Sequence, residues 1–363
     1  MLSLKEIKTI LRSADNPELL NEIQSRAEAI TIQNVGPAIY LRALIEFSNI
    51  CGCNCYYCGI RKSNPFPQRY LMKSKEIIHL AVSAAKQGFT SLVLQSGERK
   101  DPAFIKFTEQ IIREIKKETQ TEYLPKGLGI TLSVGEQTQE TYQRFFEAGA
   151  HRYLLRIETS SPKLFTLIHP PEQTYTSRLR ALKNLKAIGY QVGTGVMIGL
   201  PSQTLEDLAA DIQFFQDIDI DMIGMGPYLP HPDTPMNCWS NETRAPQESI
   251  YHLSLAMIAA ARLCCPKTNI ASTTALQTIA PGGRIQGLRF GANVLMPQTT
   301  PSSIRANYLL YEGKPCSDEN NEQSLHELEK QVLSIGRKLS LDKWGDSLRF
   351  QERKLAHQSI LKN

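Results

Sequence analysis

From residue 40 onward, short apolar runs alternate with polar amphipathic stretches. No other feature limits the folds open to this chain so strongly. The runs are Leu41–Phe47, Ser91–Gln95, Gly129–Val134, Arg152–Arg156, Gln191–Ile198, Met222–Met225, Asn269–Ser272 and Gly291–Leu295. Helical stretches separate them, among them Ser74–Gln87, Pro102–Glu118, Gln137–Ala148, Tyr175–Ile188, Thr204–Ile218 and Gln247–Leu263. Gly88, Gly149 and Gly189 stand where helix C-caps belong. Strands that alternate with helices pair in parallel. Eight such strands are the number that closes a (β/α)8 barrel. A doubly wound open sheet is the alternative, though it usually has fewer strands. The expectation is an α/β protein with a complete TIM-type barrel over 40–315. An N-terminal helical extension (1–39) precedes it, and a C-terminal tail with a helix (316–363) follows.

Within the extension, Asp15-Asn16-Pro17 breaks two charged amphipathic helices. In the tail, 317–323 reads as a loop, 325–335 as a helix and the last residues as a basic tail. With 363 residues, 41% of them hydrophobic, there is enough apolar side chain for a sizeable core. The net charge of +5 is small and scattered, so a nucleic-acid surface is not implied. The first residues, MLSLKEIKTILRSADN, contain no secretory apolar region, and no run approaches the ~18 apolar residues of a membrane span. The expected compartment is the reducing cytosol, with no membrane partner.

Eight cysteines occur, at 51, 53, 55, 58, 238, 264, 265 and 316. The first four fall in Phe47-Ser-Asn-Ile-Cys51-Gly-Cys53-Asn-Cys55-Tyr-Tyr-Cys58, directly after the first strand-like run. In a barrel that is the C-terminal mouth, where function concentrates. Clustered cysteines in a reducing compartment point to metal or redox chemistry. A tetrahedral zinc site would want all four, or two distant pairs. Cys51, Cys55 and Cys58 give CX3CX2C, and three cysteines can hold three irons of a 4Fe–4S cluster, leaving the fourth iron open. Cys53 then reads as a bystander thiol. An inert zinc knuckle or free thiols is the bland alternative. Tyr57 gives the last cysteine an aromatic flank.

CX3CX2C with an aromatic before its last cysteine, placed after a first strand, resembles the radical S-adenosylmethionine superfamily. The resemblance implies a 4Fe–4S cluster whose open iron chelates the amino and carboxylate groups of S-adenosylmethionine. A low-potential electron then cleaves the sulfonium to methionine and a 5′-deoxyadenosyl radical. Ser96-Gly97-Glu98 looks like the family's turn that binds the methionyl amine. Glu158, at the end of the fourth run, could meet a ribose hydroxyl or that amine, or form a surface salt bridge. Arg178 could pair with the methionyl carboxylate; taken alone it would be a solvated helical arginine.

Other residues suit a polar ligand inside the barrel. Thr131 and Ser133 alternate on the third run and share a face. Both could also be ordinary strand residues. Thr273 and Thr274 end the seventh run, ahead of Gly282, Gly283 and Arg284, and Arg305, Tyr308 and Tyr311 follow the eighth. These hydroxyls, glycines and guanidinium groups would suit an anion. His231, in a proline-rich loop, is a ligand or acid–base candidate, or simply solvated.

Over about residues 40–315, the segments IEFSNICGCNCYYCGIR, LVLQSGE, ITLSVGE, RYLLRIET, TGVMIGLPSQT, GMGPYLPHPDTP, ASTTALQTIAPGGR and GANVLMP together resemble the HydE family of FeFe-hydrogenase maturases. Biotin synthase and methylornithine synthase are relatives. The resemblance implies a small iron–cysteine-type complex as substrate, in the pathway to the dithiolate bridge of the two-iron subcluster. It implies a flavodoxin or ferredoxin as reductant, and a scaffold GTPase and a tyrosine lyase as partner maturases. Two departures stand out. Some members bind a second cluster through C-terminal cysteines, where this chain has Cys316 but Ser324 and Glu327, so one cluster is expected. Ile157 stands where some members have histidine. A mutase or sulfur-inserting synthase of the methylornithine or biotin type is the second enzyme reading. A non-catalytic iron–sulfur or zinc carrier is the reading from another class.

Overall fold

The computed structural model describes residues 2–240, 246–314 and 321–360; Cys316 lies outside them. Twelve strands are present among these residues. They are β1 (Ala38–Leu41), β2 (Ala43–Ser48), β3 (Ser91–Ser96), β4 (Gly129–Ser133), β5 (Ala150–Leu154), β6 (Gln191–Thr194), β7 (Met197–Ile198), β8 (Met222–Ile223), β9 (Gly226–Pro227), β10 (Asn269–Ile270), β11 (Val294–Leu295) and β12 (Lys338–Ser340). Seven of them form one parallel sheet in the order β10-β8-β6-β5-β4-β3-β2. The arrangement is that of a partial TIM-type barrel.

The stretch 293–299 bonds to both outer strands of this sheet. Asn293 N donates to Ile270 O (2.8 Å), Ser272 N to Val294 O (3.0 Å), Leu44 N to Pro297 O (2.8 Å) and Thr299 N to Leu44 O (2.9 Å). Each of the eight expected runs contains strand residues. The helices between them start and stop where their caps require. Asp101, Thr138 and Thr174 cap Pro102–Glu118, Gln139–Ala148 and Tyr175–Ile188 through their side chains. Gly149 and Gly189 end the last two of these at φ 118° and 107°, a region costly to residues with a Cβ.

The N-terminal helices, Leu4–Arg12 and Pro17–Val35, are joined by a short 3-10 turn, and Asn16 caps the second. Ile7, Ile10 and Leu11 are buried, and the pair packs on helices Leu205–Asp217 and Gln247–Cys264. Cys238 sits in the short helix Pro235–Ser240. Among the described residues, no helix is long and apolar enough to cross a membrane.

The C-terminal segment holds structure the sequence hid. Beyond helix Asn321–Ser334 the residues expected as a basic tail form β12 and helix Leu348–Ile360. β12 pairs in parallel with β1, and β1 with β11. Only Arg42 separates β1 from β2, so the sequence shows no break between them. The short, polar sequence Lys-Leu-Ser of β12 carries almost no strand signal.

Residues 344–347 lie across the N-terminal ends of the sheet strands. Ser91 Oγ and Arg152 Nη2 donate to Trp344 O (both 2.7 Å), Asn269 Nδ2 to Gly345 O (2.9 Å), and Ser347 N to Gln191 Oε1 (3.0 Å). Arg152 also reaches Asp346 at 2.7 Å. These contacts satisfy polar groups that a bare floor would leave buried and unpaired.

Candidate active site

The cysteine loop leaves β2 at the opposite end, pinned by three other segments and by one bond within the loop. Gly52 N donates to Glu98 O (2.7 Å), Tyr56 N to Ile168 O (3.0 Å), Gly59 N to Leu310 O (3.0 Å) and Lys62 N to Cys53 O (2.7 Å). Cys51, Cys55 and Cys58 are free thiols that line one cavity of about 360 Å3, and Cys53 is not part of its wall. The loop sits tight against the turn after β3. A Cβ on Gly97 would lie 2.4 Å from Ile50 O and 2.7 Å from Cys51 Cβ, so only glycine fits there.

Cys51 Sγ accepts the backbone N–H groups of Cys53 and Glu98, each at 3.4 Å. Together with the Cys53 thiol, which donates to it, these hold Cys51 down at about 7. Burial pushes Cys55 up to about 11 and Cys58 well above its ordinary range. Cys55 Sγ donates to Gln173 Oε1 at 3.3 Å. Three soft donors, none in a disulfide and all on one cavity wall, have the chemistry that an iron–sulfur cluster takes.

Acidic and basic residues continue the wall. Glu98 accepts from Glu136 N at 2.7 Å and pairs with Lys100 at 2.9 Å. Glu158 holds φ at 67°, unusual for a residue with a Cβ and costing on the order of 1 kcal/mol. Its carboxylate lies 3.1 Å from Arg156. Arg178 is buried and pairs with Glu136 at 2.6 Å while donating to Arg156 O. Tyr57 Oη lies 3.3 Å from His169 Nε2. Burial lowers that histidine to about 3, which keeps the imidazole neutral.

Most of the residues singled out in the sequence gather in this cavity, whereas Gly282 and Gly283 are not in its lining. Tyr57, Ser96, Gly97, Glu98, Ser133, Glu158 and Arg178 line it, and so do Thr273, Thr274, Arg284, Tyr308 and Tyr311. Thr131 does not. It sits two residues deeper than Ser133, beside Arg42 and Arg152 in a void of about 10 Å3 near the floor. Arg305 is also absent from the lining: it is buried behind the wall, and its Nε donates to Thr300 O at 2.6 Å. His231 packs behind the cysteine loop against Gly59 and accepts from Asp233 N at 3.2 Å.

Sequence reasoning missed Gln95, Glu46 and Lys314, all cavity-lining. Glu46 had a signal. It is the one acid in an apolar strand, and it alternates with Leu44 on one face. Lys314 had none, because it arrives from a loop 268 residues later.

Comparison with known proteins agrees with this geometry. Residues 45–215 match the model of the Radical SAM superfamily. The [FeFe] hydrogenase maturase subunit HydE of Thermotoga maritima is 43% identical over 90% of this chain and 88% of its own. The 3-methylornithine synthase of Methanosarcina barkeri is 24% identical over 94% and 89%. Among solved structures, methylornithine synthase (PylB) superposes with a TM-score of 0.76 at 23% identity, covering 94% of both chains. The maturase HydG from Carboxydothermus hydrogenoformans gives 0.77 at 21%, over 94% of this chain and 76% of its own. These two likenesses show the fold. The identity to the Thermotoga maritima protein goes further: this chain is a radical S-adenosylmethionine enzyme and belongs to the HydE family.

Proposed function

We propose that this enzyme reductively cleaves S-adenosylmethionine and directs the resulting radical onto a small iron–cysteine-type complex, in the assembly of the two-iron subcluster of FeFe-hydrogenase. The carrying observation is that the cysteines of CX3CX2C face the same cavity as Glu98, Glu158 and Arg178. Cys51, Cys55 and Cys58 would hold a 4Fe–4S cluster. When bound, the cluster supplies the low-potential electron that splits the sulfonium into methionine and a 5′-deoxyadenosyl radical.

The chain's own residues orient and shield that reaction. Glu98 accepts the methionyl ammonium, a charge-assisted contact. Arg178, held by Glu136, offers its remaining donors to the methionyl carboxylate. Glu158 accepts a ribose hydroxyl, Ser133 adds a hydroxyl, and Tyr57 flanks the cysteines. Thr273, Thr274, Arg284 and Tyr308 line the space left for substrate. The apolar interior keeps out water and stray hydrogen donors. The bonds of 293–299 to both outer strands support a complete (β/α)8 barrel over 40–315, with the extension 1–39 and the tail 316–363 outside it. A flavodoxin or ferredoxin would deliver the electron in the cytoplasm, and a scaffold GTPase and a tyrosine lyase would be the partner maturases.

A biotin-synthase type of activity would need more cysteines along the strands to bind a sacrificial cluster. Cys264 ends an outer helix, Cys265 caps it, and Cys238 lies on a short helix, so none is placed for that.

Anaerobic reconstitution followed by dithionite and S-adenosylmethionine should release 5′-deoxyadenosine, measured by chromatography. Cys55→Ala should abolish it. Full activity in that variant would overturn the ligand assignment.

A further inference from the structure

Past Cys58 the chain folds back over the outer side of its cysteine loop, and the proposed cleavage gives this segment, 59–75, no task. Hydrogen bonds fasten it there. Lys62 N donates to Cys53 O (2.7 Å), Ser63 N to Asn54 Oδ1 (2.8 Å), Tyr70 N to Asn49 Oδ1 (2.8 Å) and Asn49 Nδ2 to Gln68 O (2.8 Å). Arg69 fixes the shape of the segment. Its guanidinium donates to the carbonyls of Asn49, Ile60, Arg61 and Asn64 at 2.6 to 2.9 Å.

The segment also holds the charge excess of the chain. Between Glu46 and Glu76 stand five basic residues, Arg61, Lys62, Arg69, Lys73 and Lys75, and no acidic one. The net charge of +5 reads as scattered, yet outside this stretch the basic and acidic residues balance at 36 each. Lys62, Lys73 and Lys75 are exposed. So is Phe66, at 75%, between Pro65 and Pro67. Its N–H donates to Asn64 Oδ1 (3.2 Å), and the buried Asn64 side chain donates in turn to Gly59 O (2.7 Å). The ring is therefore held out in water on a fixed turn.

An exposed ring on a rigid turn adds nothing to the core, but it suits a protein interface, where aromatic anchors carry much of the affinity. Lysines around it attract a partner of negative charge and speed its arrival. Location selects the kind of partner. Gly52 is exposed and Cys51, Cys53 and Cys55 are partly exposed, so the loop reaches the surface on this side. On the other side Cys51, Cys55 and Cys58 face the cavity that Glu98, Glu158 and Arg178 share. With that cavity filled, an electron bound for the cysteines has its short path from the outer face.

We propose that segment 59–75, through Lys62, Phe66, Lys73 and Lys75, is the docking surface for an acidic protein that donates one electron to the cysteine-held cluster. This deepens the function proposed above and rests on it. It adds the place where the carrier binds and the residues that hold it. The carrier is oxidised by one electron and the cluster site is reduced by one.

The test uses the reconstituted full chain and a purified bacterial flavodoxin as the probe. Binding of oxidised flavodoxin is measured by titration calorimetry at low salt. Release of 5′-deoxyadenosine is measured with photoreduced flavodoxin, below saturation, and separately with excess dithionite, which needs no docking surface. Lys62→Glu with Lys75→Glu should weaken flavodoxin binding by about tenfold or more. Phe66→Ser should weaken it by about tenfold. Flavodoxin-driven release should fall in parallel, and dithionite-driven release should not change. Lys117→Glu with Lys126→Glu reverses two exposed lysines at the far end of the barrel and should leave binding unchanged. Added salt should weaken binding by wild type more than by the Lys62/Lys75 variant. Circular dichroism and iron content identify a variant that has not folded, and Lys62→Gln with Lys75→Gln then replaces the charge reversal.

No measurable binding of flavodoxin by wild type, equal affinity in the Lys62/Lys75 variant, or the same loss in the far-end variant would overturn the docking surface. So would an equal fall in dithionite-driven release, which would mean that the segment acts on the cluster site and not on the carrier. Dithionite-driven release by wild type is scored separately. If it fails, the proposed function falls. If it succeeds while flavodoxin binding does not respond to the variants, only the docking surface falls.

Discussion

At the scale of single residues, the site is defined by what cannot be added as much as by what is present. Gly97 supports the cysteine loop by having no side chain. Gly97→Ala would drive a Cβ into Ile50 O and Cys51 Cβ, neither the far end of a flexible side chain. The expected result is a protein that folds but takes up less than half the wild-type iron on reconstitution, measured by iron analysis. Cys53→Ser makes the opposite prediction. Cys53 is off the cavity wall, so that variant should release 5′-deoxyadenosine within about twofold of wild type, whereas Cys55→Ala releases none. Most of this was legible in the chain itself, because spacing within a loop survives folding unchanged. The three cysteines, the Ser-Gly-Glu turn, Glu158 and Arg178 all reached the cavity. Thr131 did not, although its period-two relation to Ser133 was right. Periodicity gives the face of a strand and not the depth along the barrel axis. Arg305 failed for a related reason: proximity in sequence to Tyr308 carries no information about which side of the wall a guanidinium occupies.

At the scale of elements, the contacts of the floor segment 342–347 predict one source of acid sensitivity. His151 lies 3.3 Å from Asp346, and its ring centre is 4.6 Å from that of Trp344. Burial lowers this histidine to about 4, against an ordinary value of 6.5, with Arg152 adding to the effect. The unfolded chain therefore takes up the proton first. Stability contributed by neutral His151 is complete above about 6.5, declines as the pH falls toward 4, and changes no further below that. The full span is worth at most about 3 kcal/mol. Urea denaturation at pH 7 and pH 5 should show a smaller acid loss in His151→Gln than in wild type. An equal loss in both would place the acid sensitivity elsewhere. This floor was invisible in the sequence. Its contacts run through backbone carbonyls of Trp344 and Gly345 and through one short polar strand, none of which leaves a hydrophobic period.

At the scale of the whole molecule, the alternation of apolar runs and helices was enough to anticipate the parallel sheet, because eight repeats of one pattern average out the errors of each. The first expected run, Leu41–Phe47, hid a break at Arg42. The chain is also expected to carry a single cluster. Glu327 pairs with Lys330 at 3.2 Å, while Cys316 and the side chain of Ser324 lie outside the described residues. Anaerobic reconstitution should give about four irons per chain, the content of one 4Fe–4S cluster. About eight would show a second cluster and overturn this expectation.

The floor also sets a timetable. Trp344 lies 253 residues beyond Ser91, whose hydroxyl it accepts. A ribosome adding roughly 5–20 residues per second makes the strands well before it makes their floor. Until residue 347 has left the exit tunnel, Ser91, Arg152 and Asn269 have no partners from that segment. The far end of the sheet therefore lacks this floor while most of the strands have already been made. The contact that closes the floor joins residues 253 positions apart in the chain.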